Sequence, residues 1–403
     1  MNARVPSASR LLKGADPLTD GQSDWSVKVR PADAIRVMLI DDSLTVRTIF
    51  KRMVESDGAM VVAETASSAE RGIAQLQRAD VDVILLDLEM PGMGGLEALP
   101  AILAAAPNAQ VMVVSSLTED GAEASVQALS TGAADTMLKP RPGGFTEEYR
   151  SQMLAKIRAL GSHEALAERS DAAAASSALA PATAPIGGNP DQPLSTRSQR
   201  RTKHPDVLAI GASTGGIHAL NVMLRALTPE FDLPILITQH LPSSFIPVFA
   251  RQIEVASGRP THIAEDGTEI RKGEIAIATG HGHMIARRIG DRLVTGISAI
   301  PAPSGCLPSV SPMLSSLAVA CEGRALAVIL SGMGRDGVEG AEDLVAAGGS
   351  VWAQDAESSA VWGMPGAVAK AGLTSLIASP DALGMAIMAQ FAAFSRDPAN
   401  MPA

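Results

Sequence analysis

Between residues 35 and 160, short apolar runs alternate with amphipathic segments, and that alternation leaves the chain few folds to choose from. The order is IRVMLI, LTVRTIFKRMVES, MVVAETA, SAERGIAQLQRA, VDVILLDL, LEALPAILAAA, QVMVVSS, a helical stretch near residues 123–130, DTMLKP and a last helix from about residue 146. Runs such as VILLDL, apolar without polar alternation, suit strands buried on both faces, and strands separated by helix-length segments pair in parallel. The reading is α/β: five parallel strands with helices on both faces, a (βα)5 unit.

The second half repeats the α/β rhythm with a different set of strand ends. DVLAIGAS closes on Ser213, LPILITQH on His240, and LAVILSGMGRD runs out to Asp336. This half is expected to be a doubly wound, mostly parallel α/β domain. In such a sheet the carboxyl ends of the strands converge on one crevice, so these three residues supply a nucleophile, a base and an acid that orients the base. The segment GASTGG at 211–216 also satisfies GxSxG, whose glycines permit a sharp strand-to-helix turn that exposes Ser213 near helix N-terminal amides. A dinucleotide site is disfavoured, because the spacing is not GxGxxG and His240 stands where a ribose-binding acid belongs. An ordinary α/β-hydrolase is disfavoured too, since its chain order is Ser, acid, His.

In the first half, charged residues sit where the strands end. Asp41 and Asp42 follow the first strand, Asp87 ends the third, Ser115 the fourth, and Lys139 the fifth. Carboxylates held together repel unless a cation lies between them, and an all-oxygen set suits Mg²⁺. A carboxylate beside Mg²⁺ and an ammonium is equipped to attack phosphorus.

Composition divides the chain. Residues 1–34 are polar and without periodicity, a disordered leader by this reading; residues 161–204 are an Ala-, Ser- and Pro-rich linker with few large apolar side chains. The domains are then 35–160 and 205–395. A formal net charge of −10 disfavours nucleic acid as a partner, and the absence of a long uncharged apolar run disfavours membrane insertion. Localisation is expected to be cytoplasmic. Cys306 and Cys321 form no CxxC pair and are read as packing residues, with neither a disulfide framework nor a zinc site expected. His281 and His283 in TGHGHM are read as loop residues at the rim, too few for a metal site. Gln354 and Asp355 end SVWAQD and border the crevice or serve structure.

The first domain, through DDS at 41–43, LLDLEMPGMGG at 85–95, VVSS at 113–116 and LKP at 138–140, resembles a response-regulator receiver. The resemblance implies Asp87 as phospho-acceptor; Asp41, Asp42 and Asp87, with the backbone near Glu89, as Mg²⁺ ligands; Ser115 as switch hydroxyl; and Lys139 as the phosphoryl contact. IGASTGG at 210–216, TQHLP at 238–242, PSV at 308–310, SGMGRDG at 331–337, AQD at 353–355 and VWGMPG at 361–366 resemble the catalytic domain of the chemotaxis protein-glutamate methylesterases, whose domain order is also receiver, linker, esterase. This implies Ser213 as nucleophile, His240 as general base and acid, Asp336 as the residue fixing the imidazole, and the Met333 amide as oxyanion donor. The implied substrates are glutamate methyl esters, and glutamines, on the cytoplasmic bundle of chemoreceptors, with a chemotaxis histidine kinase as phosphodonor, Mg²⁺ for phosphorylation and no cofactor for hydrolysis. The receiver then acts as a phosphorylation-released lid. Leu307 and Ser311 stand where the family commonly has Arg and Asp, and TGHGHM replaces PGDRH; all three departures are expected to face substrate. A catalytically dead binding module gives Ser213, His240 and Asp336 no reason to occur together. A receiver-linked transcription factor would need a basic helix-turn-helix output, which is missing.

Overall fold

The computed structural model describes residues 34–116, 118–140, 144–161 and 204–395; the leader and linker assigned from composition lie outside the described residues. The first half forms a sheet in the order β2-β1-β3-β4-β5, with every pairing parallel. Its strands are β1 (Ile35–Ile40), β2 (Met60–Ala66), β3 (Val83–Asp87), β4 (Gln110–Ser115) and β5 (Asp135–Leu138). Its helices are α1 (Leu44–Glu55), α2 (Ala69–Leu76), α3 (Gly95–Ala105), α4 (Glu119–Thr131) and α5 (Glu147–Gly161).

The two faces of this sheet follow directly from the alternation of side chains along a strand. Met38, Ile40, Ile84, Leu86, Val111 and Val113 pack with Leu76, Leu99, Ile102 and Val126 of α2, α3 and α4. Their neighbours Val37, Leu39, Val83, Leu85, Met112 and Val114 pack on the other face with Phe50 and Val54 of α1 and with Met153, Ile157 and Leu160 of α5. Ser43, Ser68 and Thr118 start α1, α2 and α4 with side-chain caps to Val46 N, Arg71 N and Gly121 N.

The second half builds a seven-stranded sheet in the order β14-β13-β12-β6-β7-β9-β8. The strands are β6 (Val207–Ala212), β7 (Ile235–Gln239), β8 (Thr261–Ile263), β9 (Ile275–Ile277), β12 (Ala325–Ile329), β13 (Ser350–Gln354) and β14 (Leu376–Ala378). All of its pairings are parallel. A separate antiparallel hairpin pairs β10 (His283–Ile289) with β11 (Arg292–Ser298), and Glu269 bridges antiparallel to Val294 of β11. Helices α6 (Gly216–Arg225), α7 (Ile246–Ser257) and α11 (Pro380–Ser395) cover one face, where Leu208, Ile210, Ile237 and Val328 meet Leu220, Phe249 and Leu383. Helices α8 (Val310–Ala320), α9 (Val338–Ala346) and α10 (Met364–Lys370) cover the other.

From β6 the chain first adds strands on one side, through β7 to β9, and then crosses to β12 on the other. The carboxyl ends of β6 and β12 therefore flank the point where the winding reverses, the place where open α/β sheets form their crevice. The two halves also touch. Gly215 N donates to Ala134 O at 2.5 Å, Thr214 Oγ1 to Asp135 Oδ2 at 2.6 Å, and Asn221 Nδ2 to Ser130 Oγ at 3.0 Å. Among the described residues no helix is long and apolar enough to cross a membrane.

Candidate active site

At the edge of the first sheet, β1 pairs with β3 so that Asp41 and Asp87 emerge side by side. Both are buried, Asp42 is exposed, and the three carboxylates lie within 4.8 Å of one another. Lys139 comes in from the end of β5, with Nζ 2.5 Å from Asp87 Oδ2 and 3.0 Å from Asp41 Oδ2. Burial pushes the Asp87 carboxyl up to about 6 against the pull of the Lys139 ammonium, and the neighbouring Asp41 charge pushes the same way. Burial pulls the Lys139 pKa down, but its bonds to Asp87 and Asp41 outweigh that and leave it raised. Apart from the Lys139 ammonium, Asp41 Oδ2 is buried with no partner among the described residues. Three carboxylates gathered around one ammonium, an all-oxygen set, fit a hard divalent cation such as Mg²⁺. The Glu89 amide donates to Asp87 Oδ1 at 3.1 Å, which places that backbone at the cluster. Ser115 is not brought to Asp87 in this conformation: its buried hydroxyl accepts a 2.6 Å bond from Ser125 of α4.

The crevice of the second sheet gathers the other three residues. Ser213 leaves β6 on a turn held by Ser213 N to Ser331 O at 3.0 Å and Gly216 N to Ser213 O at 2.8 Å. Gly215 has φ +76, and a Cβ there would fall 2.5 Å from Ala360 Cβ and 2.6 Å from Ser331 Oγ, so no other residue makes this turn without strain. His240 leaves β7, tied by its amide to Ala212 O at 3.0 Å, and its Nε2 lies 2.8 Å from Asp336 Oδ2. Asp336 follows β12 and is 1% exposed. Its Oδ1 accepts from Ser309 Oγ at 2.6 Å and Gly337 N at 3.0 Å, and its Oδ2 accepts from Val310 N at 2.7 Å.

Those donors include the first amides of α8, a helix end that favours a negative charge. Burial would raise the Asp336 pKa, but the bonds from His240, Ser309 and Val310 overrule it and hold the carboxyl down at about 2. Burial likewise opposes charge on His240, yet Asp336 and the Cys306 sulfur raise its pKa to about 9. With Asp336 ionised, Nε2 keeps the proton it shares with Oδ2, so when the imidazolium gives up a proton it is Nδ1 that becomes free to act on a substrate or nucleophile. Ser213 Oγ makes no hydrogen bond to His240 in this conformation. Gly332 lies against Ser213, since a Cβ on it would be 2.8 Å from Ser213 Cβ. The next amide, that of Met333, donates to no acceptor among the described residues, as an oxyanion donor must be free to do.

Three residues fall differently from expectation. Cys306 is no packing residue: it is half-exposed, and its sulfur, a His240 ring nitrogen and an Asp336 oxygen lie within 4.8 Å of one another. His283 is not at a rim but opens β10, buried, with Nδ1 accepting the Ser309 amide at 2.9 Å; it thus steadies the serine that bonds Asp336. Ser311 does not face substrate, because it is buried in α8 with its hydroxyl on Glu339 Oε2 and Gly337 N. Gln354 is structural, accepting the Ser331 amide at 2.7 Å, and Asp355 caps the turn at Ser358. Leu307 is 54% exposed. Sequence reasoning gave no role to Ser309 within PSV, although a serine just before an apolar helical run is an N-cap signal.

The first half overhangs this crevice. A cleft of about 590 Å³ is bounded by residues 135–140, Tyr149, Gln152 and Lys156 on one side and by His240, Leu241 and Pro242 on the other. The turn carrying Ser213 is also directly bonded to β5 through Thr214 and Gly215.

Comparison with known proteins places both halves. Residues 37–147 match the family model of the response regulator receiver domain, and residues 208–387 that of CheB methylesterase. A protein-glutamate methylesterase/protein-glutamine glutaminase 1 of Paramagnetospirillum magneticum is 41% identical over 361 residues, 86% of this chain and 93% of that one. A protein-glutamate methylesterase/protein-glutamine glutaminase of Nitrobacter hamburgensis is 40% identical over 351 residues, 86% of this chain and 91% of that one. The crystal structure of the Thermotoga maritima CheB methylesterase catalytic domain aligns at 29% identity and a TM-score of 0.45, covering 46% of this chain and 99% of that one.

Proposed function

We propose, for a chain that belongs to the CheB methylesterase family and carries a response regulator receiver domain ahead of its catalytic domain, that it hydrolyses glutamate methyl esters and deamidates glutamines on chemoreceptor cytoplasmic domains under phosphorylation control. The observation that carries this is the 2.8 Å His240–Asp336 pair at the winding reversal, on the strand end next to Ser213. Ser213 attacks the γ-carbonyl, His240 Nδ1 takes its proton, and the tetrahedral oxyanion settles against the Met333 amide. His240 then hands that proton to the leaving methanol or ammonia. Water repeats the sequence on the acyl-enzyme with the same base, so one site serves ester and amide. Asp336 holds the imidazole in the tautomer that leaves Nδ1 free.

Asp87 is the proposed phospho-acceptor, with a chemotaxis histidine kinase as donor and Lys139 as the contact for the phosphoryl oxygens. Asp41, Asp42 and Asp87 would hold Mg²⁺, which supplies charge neutralisation for phosphoryl transfer when bound. Ser115 is the switch hydroxyl: leaving Ser125 for the phosphoryl group would loosen α4, the helix whose end bonds Asn221 and His218 of α6. The receiver is thus a lid over His240, in a cytoplasmic enzyme whose relevant membrane partner is its receptor. Methanol release from methylated receptor membranes by the fragment beginning near Thr202, compared with the unphosphorylated whole chain, tests this. The fragment should be faster; a well-folded fragment no faster than the whole would end the lid reading.

A further inference from the structure

We propose that Cys306, His240 and Asp336 form a binding site for a thiophilic divalent cation, Zn²⁺ foremost, whose occupancy stops hydrolysis by holding the imidazole proton on Nδ1, the nitrogen that must accept from Ser213. The three residues arrive from three separate loops, after β11, β7 and β12, and offer one sulfur, one nitrogen and one oxygen within 4.8 Å of one another. A mixed soft and borderline set of this kind suits zinc and is a poor site for Mg²⁺. Tetrahedral zinc holds such ligand atoms roughly 3.2–3.8 Å apart, so the sulfur needs to come in by up to about 1 Å while the His240–Asp336 pair, now 2.8 Å apart, opens by about 0.5 Å. Cys306 has room to make that move. It is half-exposed, and it follows Gly305, at φ +71, around whose Cβ position nothing lies within 4 Å.

Of the other two ligands, Asp336 is already fixed. Asp336 is gripped by Ser309 Oγ, Val310 N and Gly337 N, and such outer partners orient a metal ligand before the metal arrives. An ion entering between His240 Nε2 and Asp336 Oδ2, now 2.8 Å apart, takes the place of the proton they share, so the one proton the neutral ring keeps moves to Nδ1, where it bars acceptance from Ser213. The Cys306 thiol loses its own proton to solvent as the metal–sulfur bond forms. The cleft beside His240 supplies an entry path. Cys321 does not compete, being fully buried with its thiol pushed up to about 11 by that burial. One chain thus carries two cation sites of opposite character, an all-oxygen one in the receiver and a sulfur-containing one in the esterase. The inhibitory half of the proposal rests on His240 being the base; the binding half does not.

The test uses the full chain, freed of metal and kept in excess Mg²⁺ to fill the receiver cluster, with Co²⁺ as probe. A near-ultraviolet thiolate-to-cobalt band should appear in the wild type and in Cys321→Ala, and be missing from Cys306→Ser and Cys306→Ala. Low-micromolar Zn²⁺ should slow hydrolysis of a methylated receptor fragment at least tenfold, reversed by a chelator. Cys306→Ser, which removes a ligand and not only a supporting partner, should need at least about 10–100-fold more Zn²⁺ for the same inhibition. No band in the wild type, or a band that survives in both folded Cys306 variants, overturns the site. A band without inhibition, or equal Zn²⁺ sensitivity in Cys306→Ser, overturns its role. Because the band is read without turnover, a chain that bound Co²⁺ but hydrolysed no ester would refute the esterase reading and leave the metal site standing.

Discussion

Replacing Asp336 by Asn probes the crevice with almost no change in shape. Both oxygens of Asp336 accept bonds, Oδ1 from Ser309 and Gly337, Oδ2 from Val310 N and His240. An amide must put its NH₂ against one of these groups. If it faces Gly337 N–H, a buried donor is stranded. If it faces Val310 and His240, Nε2 must become an acceptor, the proton moves to Nδ1, and the base is lost. Asp336 is 1% exposed and its pKa is held at about 2 against 3.8. At about 1.4 kcal/mol per unit, that is roughly 2 kcal/mol of stability. Because the folded pKa is the lower one, this stabilisation is fully present above pH 3.8 and is lost as pH falls through about 2. The raised His240 value reports the same contact from the other side, so the two are not added. Asp336→Asn should lower the melting temperature of the catalytic domain by roughly 4–8 °C at pH 7. It should also cut methanol release by about 10³–10⁴-fold, the scale of a wrong-tautomer histidine in serine hydrolases. Scanning calorimetry and a methanol-release assay read the two effects separately. A folded variant within tenfold of wild-type activity would refute the tautomer argument.

Asp87→Asn should abolish phosphoryl labelling from a small phosphodonor and its activation of the esterase while leaving basal hydrolysis in place, and chelation of Mg²⁺ should have the same effect on the wild type. Asp135→Ala removes the acceptor of Thr214 Oγ1 and the partner of Lys156; at about 1–2 kcal/mol for such a buried bond, basal hydrolysis should rise about 5–30-fold, with less further gain on phosphorylation. With His240 titrating at about 9, hydrolysis by the unphosphorylated chain should climb with pH between 7 and 9 as the imidazolium gives up its proton. Cys306→Ser, which removes a group that favours the imidazolium, should move that limb to lower pH, as a pH–rate profile would record.

The strands were legible because they are buried on both faces: VILLD is buried at every position, and so is VLAIGA. Helices were legible as the amphipathic runs between strands, as with LTVRTIFKRMVES, which forms α1. Ser213 and His240 could be found because each directly follows an apolar run, and Asp336 because it closes the segment that runs on from one; parallel topology does the rest. The β10–β11 hairpin was missed although its signal was present, with Met284 and Ala286 buried while Arg288 and Ile289 turn outward before Gly290 at φ +59. Its arginines interrupted the apolar pattern that had been used to find strands. Cys306 could not be found this way. Its importance comes from meeting a histidine that sits 66 positions earlier, and no local pattern carries that contact. The TGHGHM segment misled for a related reason: His283 is a support for Ser309, a relation created only when β10 packs on α8.

Methanol release from methylated receptor membranes by wild type and by Ser213→Ala, both shown folded and both phosphorylated, tests the central claim most directly. The account predicts rapid release by the wild type and loss of several orders of magnitude in the variant, because nucleophile and base act as a unit. Substantial release by Ser213→Ala would contradict it.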